Sequence, residues 1–185
     1  MATVIIRPNS DEYSFNVIKS TGTTFYGCVD EATLDTGDYI TYDPDGGNAV
    51  FGWTNSGLTD ETINKVTFYV NASFTGDSYI TNQGTTILYG YLVNISGNSW
   101  KVESESNPTT SSAWTVSDVD GLVCGAYLND DDLKDSSILY QFYAVVDYTS
   151  GGAQNLTLTC AAGSYSLTGT NATLTTTGKQ NLTLA

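Results

Sequence analysis

Ile63-Asn-Lys-Val-Thr-Phe-Tyr-Val-Asn-Ala-Ser-Phe74 is the longest run of alternating apolar and polar residues in the chain. Ile63, Val66, Phe68 and Val70 face one way, and Ala72 and Phe74 continue the series. A period of two with β-branched and aromatic residues predicts a half-buried strand. The phase slips once near Asn64–Lys65, so the strand proper is expected to start at Lys65. Ser137-Ile-Leu-Tyr-Gln-Phe-Tyr-Ala-Val-Val-Asp-Tyr148 is the second long run. Both are expected in the middle of a sheet, because their apolar positions are too many for an edge.

Shorter runs extend the pattern in both directions. Residues 3–7 and 13–18 read as strands, with a turn at Arg7-Pro-Asn-Ser10. Phe25–Val29, Tyr39–Tyr42 and Ala49–Trp53 follow, with a Pro/Gly turn at Asp43-Pro-Asp-Gly-Gly-Asn48. Thr86–Ile95 reads as one strand, with Ile87, Tyr89, Tyr91 and Val93 on one face. Asn98–Glu103 and Leu122–Asn129 complete the main body. The one helix expected lies within Ser112–Gly121: Thr115 can cap it, Asp118 can close a capping box and Gly121 can end it. Eight to ten strands at about ten-residue spacing predict an all-β, antiparallel β-sandwich of jelly-roll type.

The sandwich is expected over 1–150, with a short β-repeat tail over 151–185 hinged at Ser150-Gly-Gly152. Asn155-Leu-Thr-Leu158 and Asn181-Leu-Thr-Leu184 are identical words 26 residues apart. That tail reads as one repeat and the first strand of the next, a strand that could seek an edge on another chain.

Composition narrows the function classes. The chain has 185 residues, 40% hydrophobic and 14% charged, with 13 Tyr and 18 Gly. Its net charge of −14, from 6 Lys and Arg against 20 Asp and Glu, leaves no electrostatic footprint for nucleic acid or an anionic membrane. There is no histidine, which excludes Ser-His-Asp and Cys-His catalysis and His-ligated zinc. No CxxC occurs among Cys28, Cys124 and Cys160. Cys28 and Cys124 sit in apolar words and read as buried free thiols, with a Cys28–Cys124 disulfide and an intermolecular bond through Cys160 as alternatives. No signal peptide or membrane span is evident. The N-x-S/T words at Asn71, Asn94, Asn155, Asn171 and Asn181 follow from Asn/Thr-rich composition.

Three kinds of site were weighed. Asp43, Asp45 and Asn48 share a tight turn, and Asn129–Asp132 with Asp135 forms a second acidic loop; either could offer oxygens to calcium, though neither matches an EF-hand. No carboxylate pair stands out for glycoside hydrolysis. Trp53, Trp100, Trp114 and the tyrosines could stack on sugars from an exposed sheet face, or simply pack. No catalytic, cofactor-binding or metal-ligating residue is assigned, and no cofactor is expected.

Ala161-Ala-Gly-Ser-Tyr-Ser-Leu-Thr-Gly-Thr-Asn-Ala-Thr-Leu174 resembles a Gly/Ser/Thr β repeat of tailed-bacteriophage virion proteins. Ile6-Arg-Pro-Asn9, Phe25-Tyr-Gly-Cys-Val-Asp-Glu31, Asp38-Tyr-Ile-Thr41 and Ser112-Ala-Trp-Thr-Val-Ser-Asp-Val119 resemble structural β-sandwich proteins of the same phages. The resemblance implies a non-enzymatic virion component, assembled in the host cytoplasm. A homotrimeric capsid decoration protein bound to the major capsid protein or other virion proteins is the favoured reading. A fibre or minor tail protein with a carbohydrate- or receptor-binding sandwich is the alternative. Deleting Asn155–Ala185 is expected to leave the far-ultraviolet circular dichroism of the sandwich unchanged and to weaken oligomerisation or docking. Loss of folding would instead make Leu182 and Leu184 part of the main core.

Overall fold

Alternation along the long runs is realised as two antiparallel sheets packed face to face. The structure, a computed structural model, describes residues 1–82, 87–129 and 136–150. In chain order the strands are β1 (Ala2–Ile6), β2 (Pro8–Phe15), β3 (Val17–Lys19), β4 (Ile40–Tyr42), β5 (Gly47–Trp53), β6 (Thr62–Ser73) and β7 (Tyr79–Thr81). They continue with β8 (Leu88–Tyr91), β9 (Val93–Ser96), β10 (Ser99–Ser104), the short pair β11 (Ser106–Asn107) and β12 (Ser112–Ala113), β13 (Val123–Leu128) and β14 (Ser137–Thr149). One sheet has seven strands in the order β3-β4-β14-β6-β10-β9, with β1 also paired to β14; the other has five, in the order β2-β5-β13-β7-β8. The chain passes repeatedly from one sheet to the other, as Greek-key and jelly-roll sandwiches do. Met1–Ser150 forms one compact unit. The β repeat expected over 151–185 lies outside the described residues.

The two long strands pair with each other at the centre of the seven-stranded sheet. Val66, Phe68, Val70 and Ala72 of β6 and Leu139, Phe142, Ala144 and Val146 of β14 are all buried. Opposite them, β5 turns Ala49, Phe51 and Trp53 inward. The sheets meet through aromatic edges: the Trp53 ring lies 4.7 Å from Phe142 at 80° and 6.0 Å from Phe68 at 73°. Phe51 approaches Phe142 at 6.2 Å. Such edge-to-face pairs add about 0.5–1.5 kcal/mol each beyond the area they bury.

The phase slip at Asn64 is a β-bulge. Asp147 pairs with Lys65 but Tyr148 pairs with Ile63, so Asn64 is the extra residue. The strand therefore starts at Thr62 and keeps Ile63 inward across the slip.

Other boundaries differ from the sequence reading, each for a local reason. Residues 7–10 are not a turn. Pro8 opens β2 as its first residue, a position where a missing N–H costs no ladder bond, and the break falls at Asn16, with φ of 51°. Phe25–Val29 is not a strand. Its backbone makes a 3₁₀ turn over Tyr26–Cys28, because the Asp11 carboxylate accepts the N–H groups of Phe25 (2.9 Å) and Tyr26 (2.7 Å).

Thr86–Ile95 divides at Leu92. Its first part, β8, closes the five-stranded sheet, and its second, β9, closes the seven-stranded one. Gly90, at φ of 147°, makes that crossing, and a Cβ there would lie 2.7 Å from Val102 Cγ1. Among the described residues the one α-helix, α1 (Val116–Asp120), has Thr115 and Asp118 in a reciprocal capping box and Gly121 at its end. Trimming Phe142 to Ala is expected to cost about 3–5 kcal/mol, read as a fall in the urea midpoint.

Candidate binding surfaces

Each strand of a sandwich turns alternate residues outward, so the two outer faces and the open edges are where partners can be met. On the outer face of the seven-stranded sheet, Tyr143 of β14 stands opposite Tyr69 of β6. Their rings stack 5.1 Å apart at 10°. The Arg7 guanidinium lies 5.7 Å from the Tyr143 ring centre. Burial, then the neighbouring Tyr69, pushes the Tyr143 phenol above its usual range, against the pull of Arg7. On the same face, Glu103 takes Lys101 Nζ at 2.9 Å and Lys65 Nζ at 3.4 Å, and Asp147 lies 3.9 Å from Lys65. Such exposed pairs add little to stability, because water screens them. Their effect here is to cancel charge locally. A depression of about 110 Å³ opens beside Tyr69, Tyr143, Asn71, Ser99 and Ile95. Its polar wall is already linked, Ser99 Oγ donating to Asn71 Oδ1 and Asn71 Nδ2 to Gln141 Oε1, both at 2.7 Å.

The five-stranded sheet has a different outer face. Register aligns Phe15 (β2), Asn48 (β5), Tyr127 (β13), Tyr79 (β7) and Tyr91 (β8) in one row across all five strands. Tyr79 and Tyr127 stack at 4.7 Å and 11°, and Tyr91 meets Tyr79 edge-on at 5.8 Å. Burial, then Tyr127 and Tyr91, raises the Tyr79 phenol above its ordinary range, so it stays neutral. A Cβ at Gly46, at φ of 92°, would collide with the Tyr127 hydroxyl, so glycine there makes room for the ring. No strand of this sheet contains Lys or Arg.

The β8–β9 corner is the third surface. Each of these strands is hydrogen-bonded on one side only. Val93 and Ile95 are 61% and 46% exposed, and Leu88 and Tyr91 are exposed as well. An open depression of about 290 Å³ lies between Gly90, Tyr91, Val93 and Lys101.

Of the two readings open to the tryptophans, stacking on sugars or packing, the structure shows packing. Trp53 and Trp114 are buried, and Trp100 packs 4.2 Å from Phe74. All three indoles donate to backbone carbonyls, those of Cys124, Ala72 and Ser104. Indole N–H groups near a core need such partners, and that need holds the rings inward. The exposed aromatic row is made of tyrosines and Phe15 instead. Only strand register reveals it, since its members lie far apart in sequence.

The Asp43–Asn48 turn also separates. Asp43 Oδ1 accepts the Asp45 N–H at 3.0 Å, which shapes the turn, while Asn48 belongs to the aromatic row. Among the described residues no group of three or more Asp, Glu, Cys or His side chains gathers for a metal. The loop at Asp130–Asp132, Asp135 and Cys160 lie outside them. Several other carboxylates have structural partners: Asp38 takes the hydroxyls of Ser20 and Thr21, and Asp120 takes the Ser56 N–H and Oγ. Cys28 and Cys124 are buried free thiols, not a disulfide.

No protein family, curated protein or solved structure matches the chain.

Burial, with help from the Asp38 carboxylate, raises the Cys28 thiol from an ordinary 9.0 to about 11. Below pH 9 the thiol is neutral in both folded and unfolded chains, and its contribution to stability is complete. Between pH 9 and about 11 the unfolded chain ionises first, and stability falls. Urea midpoints are therefore expected to drop across that window, and to drop less in Cys28→Ala. Equal drops in both proteins would contradict this assignment.

Proposed function

We propose that the chain is a non-enzymatic structural virion protein, a capsid decoration protein that assembles through the edges of its β-sandwich. The observation that carries this reading is the uncharged, unpaired edge at β8–β9. Edge strands invite pairing with another chain, and monomeric proteins block them with charge, proline or bulges. Among the other edge strands, Pro8, Asp11 and Glu12 block β2 and Lys19 blocks β3, while β1, like β8 and β9, carries neither charge nor proline. Strands β8, Leu88-Tyr-Gly-Tyr91, and β9, Val93-Asn-Ile-Ser96, carry no charged residue and no proline. A partner strand would gain main-chain hydrogen bonds there and cover Val93 and Ile95.

Charge supports the same location. Copies of a chain at −14 repel one another. Beside β9, however, Lys65 and Lys101 offset Glu103 and Asp147, so approach there is least opposed. The resemblance of the quoted words to tailed-phage proteins supports the virion setting, a homotrimer and a partner in the shell.

Light scattering on the purified chain is expected to show a trimer, and phage heads lacking the protein are expected to retain it on sedimentation. Val93→Lys with Ile95→Lys is expected to give a folded monomer with at least about tenfold weaker retention. A wild-type monomer that ignores the heads would overturn the reading.

A further inference from the structure

We propose that the outer face of the five-stranded sheet binds a neutral oligosaccharide, along the row Phe15, Asn48, Tyr127, Tyr79 and Tyr91. This goes beyond assembly and uses the sheet's outer face, which shares Tyr91 with the β8–β9 corner. Aromatic faces take up the C–H faces of sugar rings, while nearby polar groups meet the hydroxyls. The row offers both. Phe15 and Tyr91, at its two ends, are 52% and 60% exposed. Four strand spacings separate them, about 19 Å, which suits a chain of sugars better than one ring.

The polar group is Asn48. It is 2% exposed, and neither its Oδ1 nor its Nδ2 has a hydrogen-bond partner. A buried amide left unbonded destabilises the fold, and folding alone gives no reason to retain it. Register places it between Phe15 and Tyr127. A sugar that displaces the side chains around it would meet an acceptor and two donors there. The Tyr127 hydroxyl of the same row lies over Gly46.

Charge selects the sugar class. The five strands hold no cation, and among the described residues Arg7, Lys65 and Lys101 lie on the other sheet's outer face, while Lys19 sits 4.8 Å from the Phe25 ring. Asp45 and Asp77 stand two residues before β5 and β7. Among the described residues a uronate or sialate would meet these carboxylates and no counter-ion on this face, whereas an uncharged saccharide meets neither obstacle.

The test is calorimetric titration of the full chain with cellotetraose, maltotetraose and chitotetraose, with tetragalacturonate as the charged comparator. At least one neutral tetrasaccharide is expected to bind, and tetragalacturonate at least about tenfold more weakly. Tyr79→Ala and Phe15→Ala are expected to weaken binding about tenfold or more, with the oligomer unchanged. Asn48→Leu, which removes the unbonded amide at similar volume, is expected to raise the thermal midpoint and abolish binding. No binding by any neutral tetrasaccharide, preference for tetragalacturonate, or full binding by Asn48→Leu would each overturn the proposal. Val93→Lys with Ile95→Lys should leave sugar binding intact, which separates this outcome from failure of the assembly reading.

Discussion

Trp53, Phe68 and Phe142 meet edge-to-face at the centre of the sandwich, and both sheets depend on that contact. Phe68 and Phe142 stand on the two long strands whose pairing is the most extensive in the molecule. Trp53 ends β5 of the opposite sheet and anchors its indole N–H on the Cys124 carbonyl of the adjacent strand. One ring thus ties two strands of its own sheet and presses on two of the other. With the interior settled this way, each strand's alternate residues are committed to the outside. The two outer faces are consequences of the core, since a shift of one residue would exchange them.

Those faces differ sharply in chemistry. The outer face of the seven-stranded sheet holds Arg7, Lys65 and Lys101, interleaved with Glu103, Asp147 and a stacked tyrosine pair. Among the described residues the outer face of the five-stranded sheet has aromatic rings, an unbonded amide and no cation. With so few basic residues, their placement makes the two faces electrostatically unlike. The uncharged β8–β9 corner lies between these two environments. It is also where one continuous segment leaves one sheet and joins the other, with Gly90 at the crossing.

Much of the fold was legible in sequence because its signals are local. The alternation of 63–74 and 137–148 marked the central strands, while the slip at Asn64, read as the strand's start, proved to be a bulge inside it. Thr115, Asp118 and Gly121 marked the short helix, since a capping box needs only residues three apart. The misread segments were governed by distant partners. Phe25–Val29 has a strand-like composition, but the Asp11 carboxylate fourteen residues earlier bends it into a 3₁₀ turn. Thr86–Ile95 alternates like one strand, but two different sheets claim its halves. The tryptophans could stack on sugars or pack, and only the distant carbonyls that hold their indole N–H groups inward decide for packing.

The sequence by itself determined the class of the fold, the strongly acidic balance and the absence of any histidine. These follow from residue type and from a period of two, and no contact is needed to read them. Only the tertiary structure decided the functional surfaces. The row from Phe15 to Tyr91 gathers residues from five strands spread over seventy-seven positions of the chain. Their adjacency exists only once the strands are paired in one register. Asn48 shows the same limit: beside Gly47 it reads as part of a turn, and its unbonded amide becomes visible only when β2 and β13 close around it.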